Sequence, residues 1–400
     1  MATKVTPEVE TFARIKVVGT GGSGQNVVNH MVNEKVRGVE FISVNTDAQD
    51  LHHSLAKKKI HIGKNLTKGL GAGMDPVIGK RAAEETKEEI QEALKGADMV
   101  FLTGGLGGGT GTGALPSIAQ VSRELGALTI GVVTKPFSFE GAQRMRIAQQ
   151  GLDELRKEVD ALVVIPNDRI FGVIQKDTSL KSAFSMCDEV LRQAVEGIAD
   201  LITMPGIINV DFADIRAILQ NAGSALMGIG KATGEKRAVE AAQMAINSPL
   251  LDVSVSGAKG VLFAIAGGED LTMMEIQEAA RIITENVDKD AKIIFGAIKD
   301  DRLKKNELKV TVIASGFPEN NGVNPSLFQF ARKDAKEKEE VIVPSKHMFS
   351  KKEEAKIEHD EPSMPAPAPM KAPEPIELKP KAEDDEDEWG AIPAFLRRKK

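Results

Sequence analysis

The sequence predicts an α/β fold: a doubly wound domain with a mostly parallel sheet, a long central helix, a second, smaller α+β domain and a disordered C-terminal tail. Three observations carry this prediction. Short β-branched runs alternate with amphipathic stretches from Arg14 to Pro166, a long run of helical periodicity follows, and the composition changes sharply after Phe317. The alternation is typical of a buried parallel sheet with helices on its faces.

The first domain is predicted to span residues 14–178, after a flexible N-terminal segment at 1–13. Its predicted strands are short runs of β-branched and apolar residues, each of a length suited to a buried sheet. They are Ile15 to Val18, Val39 to Val44, Ala97 to Thr103, Leu128 to Thr134 and Ala161 to Ile165.

A single long helix is predicted from Ser179 to Thr203, within a central segment at residues 179–206. The apolar residues at helical spacing are Leu180, Phe184, Cys187, Leu191, Val195 and Ile198. Pro205 and Gly206 are expected to end the helix, because neither continues one readily.

The second domain is predicted at residues 207–317. Its strands are expected at Ser224 to Ile229, Gly260 to Ala266, Ile293 to Ile298 and Leu308 to Ala314. Helical patterns cover Gly234 to Asn247 and Leu271 to Val287. This mixture indicates a smaller α+β domain.

The remaining residues have the composition of a linker that ends in a short apolar segment. Lys and Glu, then Pro and Ala, dominate residues 318–388, so this stretch lacks the apolar surface needed to offset chain-ordering entropy. Trp389 then opens an apolar run to Leu396, which the basic residues Arg397 to Lys400 follow. Residues 389–400 are predicted to be a partner-docking peptide; the alternative is a floppy tail with incidental apolar residues.

Composition narrows the class of protein. The chain has 400 residues, of which 42% are hydrophobic, and a formal net charge of -6, so it can bury a large core and is not expected to bind nucleic acid. Its one cysteine, Cys187, excludes an internal disulfide framework and suits a reducing compartment. No segment has the character of a signal peptide or a membrane span. We expect a cytoplasmic protein without direct membrane insertion.

The first of two glycine-rich loops follows the first predicted strand and opens a helix. Gly19, Gly21 and Gly24 spell GxGxxG, and Asp47 lies just past the second strand, where a dinucleotide-binding fold places its ribose-binding carboxylate. An NAD-dependent oxidoreductase is therefore one hypothesis. The motif alone is weak, because its physics is only the approach of backbone amides to an anionic group.

The second loop, Gly104 to Gly113, is the more specific signal. It contains seven glycines in ten residues and lies between a predicted strand and a helix that is expected to hold Pro116 in its first turn and to end near Gly126. So many glycines are costly in chain entropy, and packing alone is a poor reason for them. A flexible linker would not occupy this position, whereas a cradle for a polyphosphate would. The sequence therefore predicts a nucleoside-triphosphate site.

Neither loop contains GxxxxGK[ST], so the site is not a P-loop. The negative charge of a polyphosphate must then be neutralised by backbone amides, a helix dipole, a metal ion and, from the side chains, Arg144.

At Gly107 to Gly113 the motif GGGTGTG resembles the signature of the tubulin-like GTPases. The stretches that extend the resemblance are Val44 to Asp47, Gly69 to Gly73, Lys135 to Gly141, Ile165 to Arg169, Asn209 to Asp214 and Gly223 to Gly228. It covers Arg14 to Phe317 and the final peptide, and it points to the bacterial cell-division members of that family. It implies GTP and Mg²⁺ as ligands, GTP hydrolysis, head-to-tail filaments and a place in the mid-cell division ring beneath the inner membrane.

The resemblance also implies roles for individual residues. Phosphate contacts fall on Gly22, Ser23, Gly24, Asn26, Gly109, Thr110 and Gly111. Glu140 and Arg144 are expected to contact the ribose and the phosphates. Asn167, Phe184 and Asp188 are expected to form the guanine pocket. Residues 72–75 match the segment that faces the γ-phosphate. Relatives are commonly richer in glycine around Ser23 and Gln25, and a small residue commonly replaces Met74.

The resemblance assigns the positioning of the attacking water to Asn209, Asp211 and Asp214. Without it, Asp211 would be interpreted as an ordinary helix N-cap, Phe184 as core and Asp188 as a surface charge. A carboxylate at Asp188 suits guanine, since it can accept from N1 and the exocyclic amine, and an aromatic face at Phe184 can stack on the ring.

One geometric step follows from the long helix. A helix of about 25 residues spans about 35 Å at about 1.5 Å per residue, so Asp211 cannot reach a nucleotide held near Phe184 of the same chain. The loop would have to complete the site of a neighbour, which makes the contact heterologous and the assembly an open filament. The partners expected are the chain itself and, through Trp389 to Lys400, membrane-tethering and regulatory division proteins. A noncatalytic tubulin-like scaffold is the third alternative.

Overall fold

The structure is a computed structural model that describes residues 13–172, 178–204, 206–248, 255 and 257–317. The predicted N-terminal segment up to residue 12, Pro205, the linker and the docking peptide lie outside the described residues. In the part of the chain that is described, no helix is long and apolar enough to cross a membrane.

The strands are β1 Ile15–Thr20, β2 Val39–Asn45, β3 Lys58–His61, β4 Met99–Gly105, β5 Leu128–Lys135, β6 Ala161–Pro166, β7 Gly206–Ile208, β8 Gly223–Thr233, β9 Gly260–Gly267, β10 Lys292–Lys299 and β11 Glu307–Ser315. The α-helices are α1 Gly21–Asn33, α2 Ala48–His52, α3 Lys64–Thr67, α4 Pro76–Glu85, α5 Lys87–Leu94, α6 Thr110–Glu124, α7 Ala142–Glu158, α8 Leu180–Thr203, α9 Phe212–Leu219, α10 Arg237–Ile246 and α11 Met273–Glu285. Two 3₁₀ turns lie at Ser138–Glu140 and Asn167–Gly172.

All of these strands belong to one sheet with the order β3-β2-β1-β4-β5-β6-β8-β11-β9-β10-β7. Strands β1 to β6 pair in parallel, as the alternating pattern predicts. The two halves of the sheet meet where β6 pairs with β8 over three residues, Ala161 to Val163. Strand β11 is antiparallel to both β8 and β9, which gives the second half the mixed character expected of it. The division into two domains remains a prediction.

Apolar layers cover both faces of the sheet. On one face, α8 packs its buried residues Leu191, Val195 and Ile198 into a core that extends from β1 to β10. On the other face, α4, α5, α6 and α7 cover the first half, and α10 and α11 cover the second half. The central helix therefore bridges the two halves of the sheet.

The predicted strands and the long helix are confirmed, with ends that shift by a few residues. Two details of the prediction are wrong. Pro116 lies in the second turn of α6 and not in the first, because α6 begins at Thr110 within the glycine loop. The sequence pattern also failed to indicate β3 and α4, which lie in a charged stretch with few buried positions.

Candidate nucleotide site

A cavity of about 430 Å³ opens at the carboxyl ends of the parallel strands. The segments that follow β1, β4, β5 and β6 all contribute to its walls, and α8 closes one side with Phe184, Asp188 and Leu191. Open α/β sheets place their ligand sites in this position.

The first glycine loop turns from β1 directly into α1. Gly22, Ser23 and Asn26 are exposed and line the cavity. Gly24 is buried and does not line it: a Cβ there would lie 2.5 Å from the carbonyl oxygen of Thr103 on β4. Gly24 thus allows α1 to pack closely on the sheet.

The second glycine loop supplies Gly109, Thr110 and Gly111 to the cavity wall. The hydroxyl of Thr112 accepts a hydrogen bond from the amide of Gly107 at 2.8 Å and closes the loop on itself. The hydroxyl of Thr110 lies 2.6 Å from that of Thr46, which joins this loop to the end of β2. Because α6 begins at Thr110, its free first-turn amides face an anion-binding position.

Packing accounts for more of these glycines than the sequence argument allowed. A Cβ at Gly109 would lie 2.6 Å from the carbonyl oxygen of Gly73, and one at Gly113 would lie 2.0 Å from that of Pro76 on α4. Only a Cβ at Gly108, among the glycines of this loop, would meet nothing within 4 Å. The inference that packing is a poor reason for the glycines is therefore wrong, since Gly113 allows α6 to touch α4 and Gly109 allows the loop to touch the segment before α4.

The segment at residues 72–75 stands over the second loop. The amide of Gly109 donates to the carbonyl oxygen of Gly73 at 3.0 Å, and Gly73 lines the cavity. Asp75 caps α4 by accepting from the amide of Val77 at 2.8 Å. The side chain of Met74 is 43% exposed.

Glu140 and Arg144 form an ion pair on the cavity wall. Glu140 also accepts from the amide of Phe137 at 2.8 Å, so its carboxylate is held by the backbone as well. The pair places one guanidinium group in a cavity that is otherwise lined mainly by amides and hydroxyls.

Asn167 and Phe184 both line the cavity. Asn167 is buried, and its Oδ1 has no hydrogen-bond partner in the described part of the chain. The ring of Phe184 is 40% exposed and rests edge-on against the buried ring of Phe137 at 5.3 Å between centroids. An unpaired acceptor beside a supported aromatic face suits a planar base with hydrogen-bond donors.

Asp188 lies one turn after Phe184 on α8. Burial raises the pKa of its carboxyl from the ordinary value to about 6, and the nearby charge of His30 opposes that shift. A carboxylate that accepts no hydrogen bond from the described residues gains most from a ligand that supplies two donors, as guanine does at N1 and its exocyclic amine.

Several residues of the cavity wall escaped the sequence argument: Thr20, Thr134, Pro136, Cys187 and Leu191. The hydroxyl of Thr20 is buried without a partner among the described residues, so it is a second polar atom that a ligand would satisfy. Helical spacing from Phe184 and Asp188 would have indicated Cys187 and Leu191, which lie on the same face of α8.

Asn209, Asp211 and Asp214 lie elsewhere, in the segment at residues 206–214 that we call the Asp211 loop. Asn209 accepts from the amide of Gly206 at 2.7 Å, and Asp211 caps α9 by accepting from the amide of Asp214 at 2.9 Å. The carboxylates of Asp211 and Asp214 make no contact with the cavity wall.

The Asp211 loop lies at the opposite end of the sheet from the cavity. Arg216, in the last turn of α9, donates to the carbonyl oxygen of Gly126, which precedes β5 at its amino end. The cavity lies at the carboxyl end of the same strand. The 8 residues of β5 separate the two ends by about 25 Å at about 3.3 Å per residue.

The two glycine loops, the supported aromatic ring and the buried polar atoms around one cavity define a nucleotide-binding protein with a doubly wound α/β fold. Comparison with known proteins specifies the class. The protein-family model described as "Tubulin/FtsZ family, GTPase domain" matches residues 14–175. The family model described as "FtsZ family, C-terminal domain" matches residues 223–318.

Solved structures agree. An empty FtsZ dimer from M. jannaschii is 49% identical, with a TM-score of 0.74, over 77% of this chain and 89% of that one. A mutant FtsZ from the same organism is 48% identical, with a TM-score of 0.73, over 76% and 92% of the two chains. CetZ2 from Haloferax volcanii, in a GTPγS-bound protofilament, is 22% identical over 76% and 94%, with a TM-score of 0.67, and shares the fold.

The chain belongs to the FtsZ family of tubulin-like GTPases. Family membership confirms the resemblance inferred from GGGTGTG and replaces the hypothesis of an NAD-dependent oxidoreductase. Close packing accounts for part of the GxGxxG spacing, since a Cβ at Gly19 would lie 2.3 Å from the carbonyl oxygen of Gly24 and one at Gly24 would lie 2.5 Å from that of Thr103.

Proposed function

We propose that this protein binds GTP in the cavity, polymerises head to tail, and hydrolyses GTP at the interface between adjacent subunits of a cell-division filament. The observation that carries the proposal is the separation of the Asp211 loop from the cavity within one chain. Groups that position the attacking water must lie next to the γ-phosphate. The Asp211 loop would meet that requirement only in the cavity of a neighbour.

Binding of GTP would use the cavity as it stands. The phosphates would lie on the amides of Gly22 and Gly111, beside Gly109 and Thr110, and near the guanidinium of Arg144, while the base would lie on Phe184 and donate to Asp188. The unpaired oxygens of Thr20 and Asn167 would gain partners.

Mg²⁺ would accompany the triphosphate, since it prefers oxygen ligands and neutralises phosphate charge. Phosphate oxygens would supply most of its ligands, with few direct ligands from the protein.

The Asp211 loop would act on water. Asp211 and Asp214 of one subunit would orient a water molecule toward the γ-phosphate of its neighbour and share the charge that develops on the water, and Asn209 would help to hold it. Such positioning suffices because phosphoryl transfer depends chiefly on alignment and electrostatic stabilisation.

Exposed apolar residues beside the cavity support a contact between subunits. Leu70 is 85% exposed, Val77 62% and Met74 43%, and all three flank Gly73 on the cavity wall. Apolar residues grouped around a ligand site are typical of a surface that another protein covers. A dimer is the state named for one relative of 49% identity.

The docking peptide at 389–400 lies outside the described residues and remains part of this proposal. Ile392, Phe395 and Leu396 would anchor it to a membrane-tethering division protein, and the basic end would aid encounter. This contact would place the filament in the cytoplasm at the division site.

Mixing two classes of variant tests the shared site. Asp211→Ala should bind GTP and assemble without hydrolysis, while Thr110→Ala should bind GTP weakly but retain an intact Asp211 loop. Interfaces in the mixture would combine one intact cavity with one intact loop, so turnover should exceed that of either variant alone. Sedimentation establishes whether the Thr110 variant joins the filaments. If it joins them and turnover does not recover, the site is not shared.

The noncatalytic scaffold is the less favoured alternative. The Asp211 loop retains both carboxylates and the Asn209 amide, which a scaffold would not need. Measurable GTP turnover in the starting protein separates the two functions.

A further inference from the structure

Arg302 lies in the turn between β10 and β11 and makes ion pairs with three carboxylates. Its guanidinium donates to Glu196 at 2.6 Å, to Asp200 at 2.8 Å and to Asp300 at 2.8 Å. The side chains of these three carboxylates are less than a tenth exposed. Arg302 therefore joins two residues of α8 to the end of β10.

The contacts fall where α8 leads into the Asp211 loop. Glu196 and Asp200 occupy the last two turns of α8, and the guanidinium also reaches the sulfur of Met204, the residue that follows the helix, at 3.6 Å. The amide of Met204 in turn donates to the carbonyl oxygen of Asp200 at 2.9 Å. Arg302 thus contacts the last residues before the Asp211 loop begins.

The loop also rests on β10, the strand that ends next to Arg302. Strand β7, the first part of the loop, pairs with β10 at Ala297 and Ile298. Val210, which precedes Asp211, is buried against Gly296, where an added Cβ would lie 2.9 Å from its side chain. The end of α8 and β10 therefore both support the Asp211 loop, and Arg302 binds α8 and the residue that follows β10.

We propose that Arg302 is a positioning residue for GTP hydrolysis: by tying the end of α8 to β10 it sets the place of Asp211 and Asp214 relative to the neighbouring subunit's nucleotide. This inference rests on the proposed function of the Asp211 loop. Positioning catalysis is sensitive to small displacements, and a shift of about 1 Å can cost about a hundredfold in rate.

Removal of Arg302 alone would take from the buried carboxylate of Asp300 its ion pair with Arg302, so a charge-balanced variant is the better test. In Arg302→Gln combined with Asp300→Asn, Asp200 keeps Lys309 at 3.7 Å and Glu196 keeps Arg192. Arg302→Lys retains the charge with fewer donors and serves as the conservative variant. Lys299→Gln is the matched control, because it removes an exposed ion pair with Glu269 at the end of the same strand.

The experiment measures GTP affinity, sedimented polymer and GTP turnover per assembled subunit for each variant, with Asp211→Ala as a reference. For Arg302→Gln/Asp300→Asn we expect unchanged affinity and assembly, with turnover per assembled subunit reduced about tenfold or more. Arg302→Lys should recover part of the rate, and Lys299→Gln should match the starting protein.

Normal turnover in the double variant, beside an inactive Asp211→Ala, would overturn the role of Arg302 and leave the proposed function intact. A parallel loss of GTP affinity, or loss of assembly, would also overturn it, since either result points to a general structural role. Normal turnover in Asp211→Ala would instead refute the proposed function of the loop and, with it, this inference.

Discussion

At the scale of single residues, Asp188 connects the chemistry of the base to the structure of α8. Its carboxyl has a pKa raised to about 6 by burial. In the protein without nucleotide the group therefore gains a proton as the pH falls through about 6, and a protonated carboxyl offers guanine one acceptor fewer. Guanine binding should restore the charged form by supplying two donors.

We predict that GTP affinity falls as the pH is lowered from 7.5 to 5, and that Asp188→Asn removes the part of this dependence that comes from the carboxyl. Ionisation of the nucleotide phosphates affects both proteins equally, so the difference between their pH profiles isolates Asp188. At neutral pH the variant should bind GTP about 3 kcal/mol more weakly, roughly a hundredfold, and lose its preference over ATP. Calorimetric titration at several pH values measures both effects; superimposable profiles would contradict the assignment.

The sequence identifies most residues of the site but not the contacts that they make. GGGTGTG indicates the phosphate loop, and the residues expected to touch nucleotide, with the exception of Gly24 and the Asp211 loop, line one cavity. What each glycine touches could not be predicted, because close approach depends on helices brought together from distant parts of the chain. For the same reason, no local pattern indicates Thr20, the last residue of β1, or Thr134, the next-to-last residue of β5, as part of the site.

At the scale of elements, the contact between α4 and α6 depends on glycine. Gly79 on α4 lies against the carbonyl oxygen of Gly109, and Gly113 on α6 lies against that of Pro76. The segment at residues 72–75, which leads into α4 and contacts the second glycine loop, depends on the same contact. Separation of these helices should therefore disturb both stability and nucleotide binding.

We predict that Gly113→Ala destabilises the protein by about 1–3 kcal/mol, because its Cβ would overlap the backbone of α4. Gly108→Ala, in the same loop, is the matched control, since its Cβ would meet no protein atom within 4 Å. Thermal unfolding without nucleotide measures the difference. Equal melting temperatures for the two variants would show that the helices move apart at little cost.

Most of the strands could be predicted from their residue patterns, and β3 and β7 could not. The predicted strands are continuous apolar runs, as in β5, where all but the last residue is buried. Strand β3 has one fully buried residue, Ile60, among Lys and His, so its pattern carries no strand signal. Strand β7 has only three residues and is defined by its pairing with β10, a contact that no local pattern indicates.

At the scale of the whole molecule, the chain places the cavity and the Asp211 loop at opposite ends of one sheet. Helix length predicts the separation, and the contact of Arg216 with Gly126 supports it from the sheet. Under the proposed function, a head-to-tail contact between copies would bring the two ends together at every interface, which would couple GTP hydrolysis to assembly.

The docking peptide gives a separate prediction. Deletion of residues 389–400 should leave filament formation and GTP turnover largely unchanged while abolishing localisation at the division site. A deletion of the same length within the linker, residues 355–366, is the control and should preserve localisation. Fluorescence microscopy of cells that carry each version measures the outcome, and normal rings with the peptide deleted would contradict the role given to it.

The most direct test of the central claim is GTP turnover per molecule as a function of protein concentration, with light scattering and sedimentation recorded on the same samples. A site shared between subunits predicts turnover near zero while the protein is monomeric and a rise that follows the appearance of polymer. A constant turnover per molecule, down to concentrations at which both methods detect only monomer, would show that one chain holds the complete site and would contradict the account.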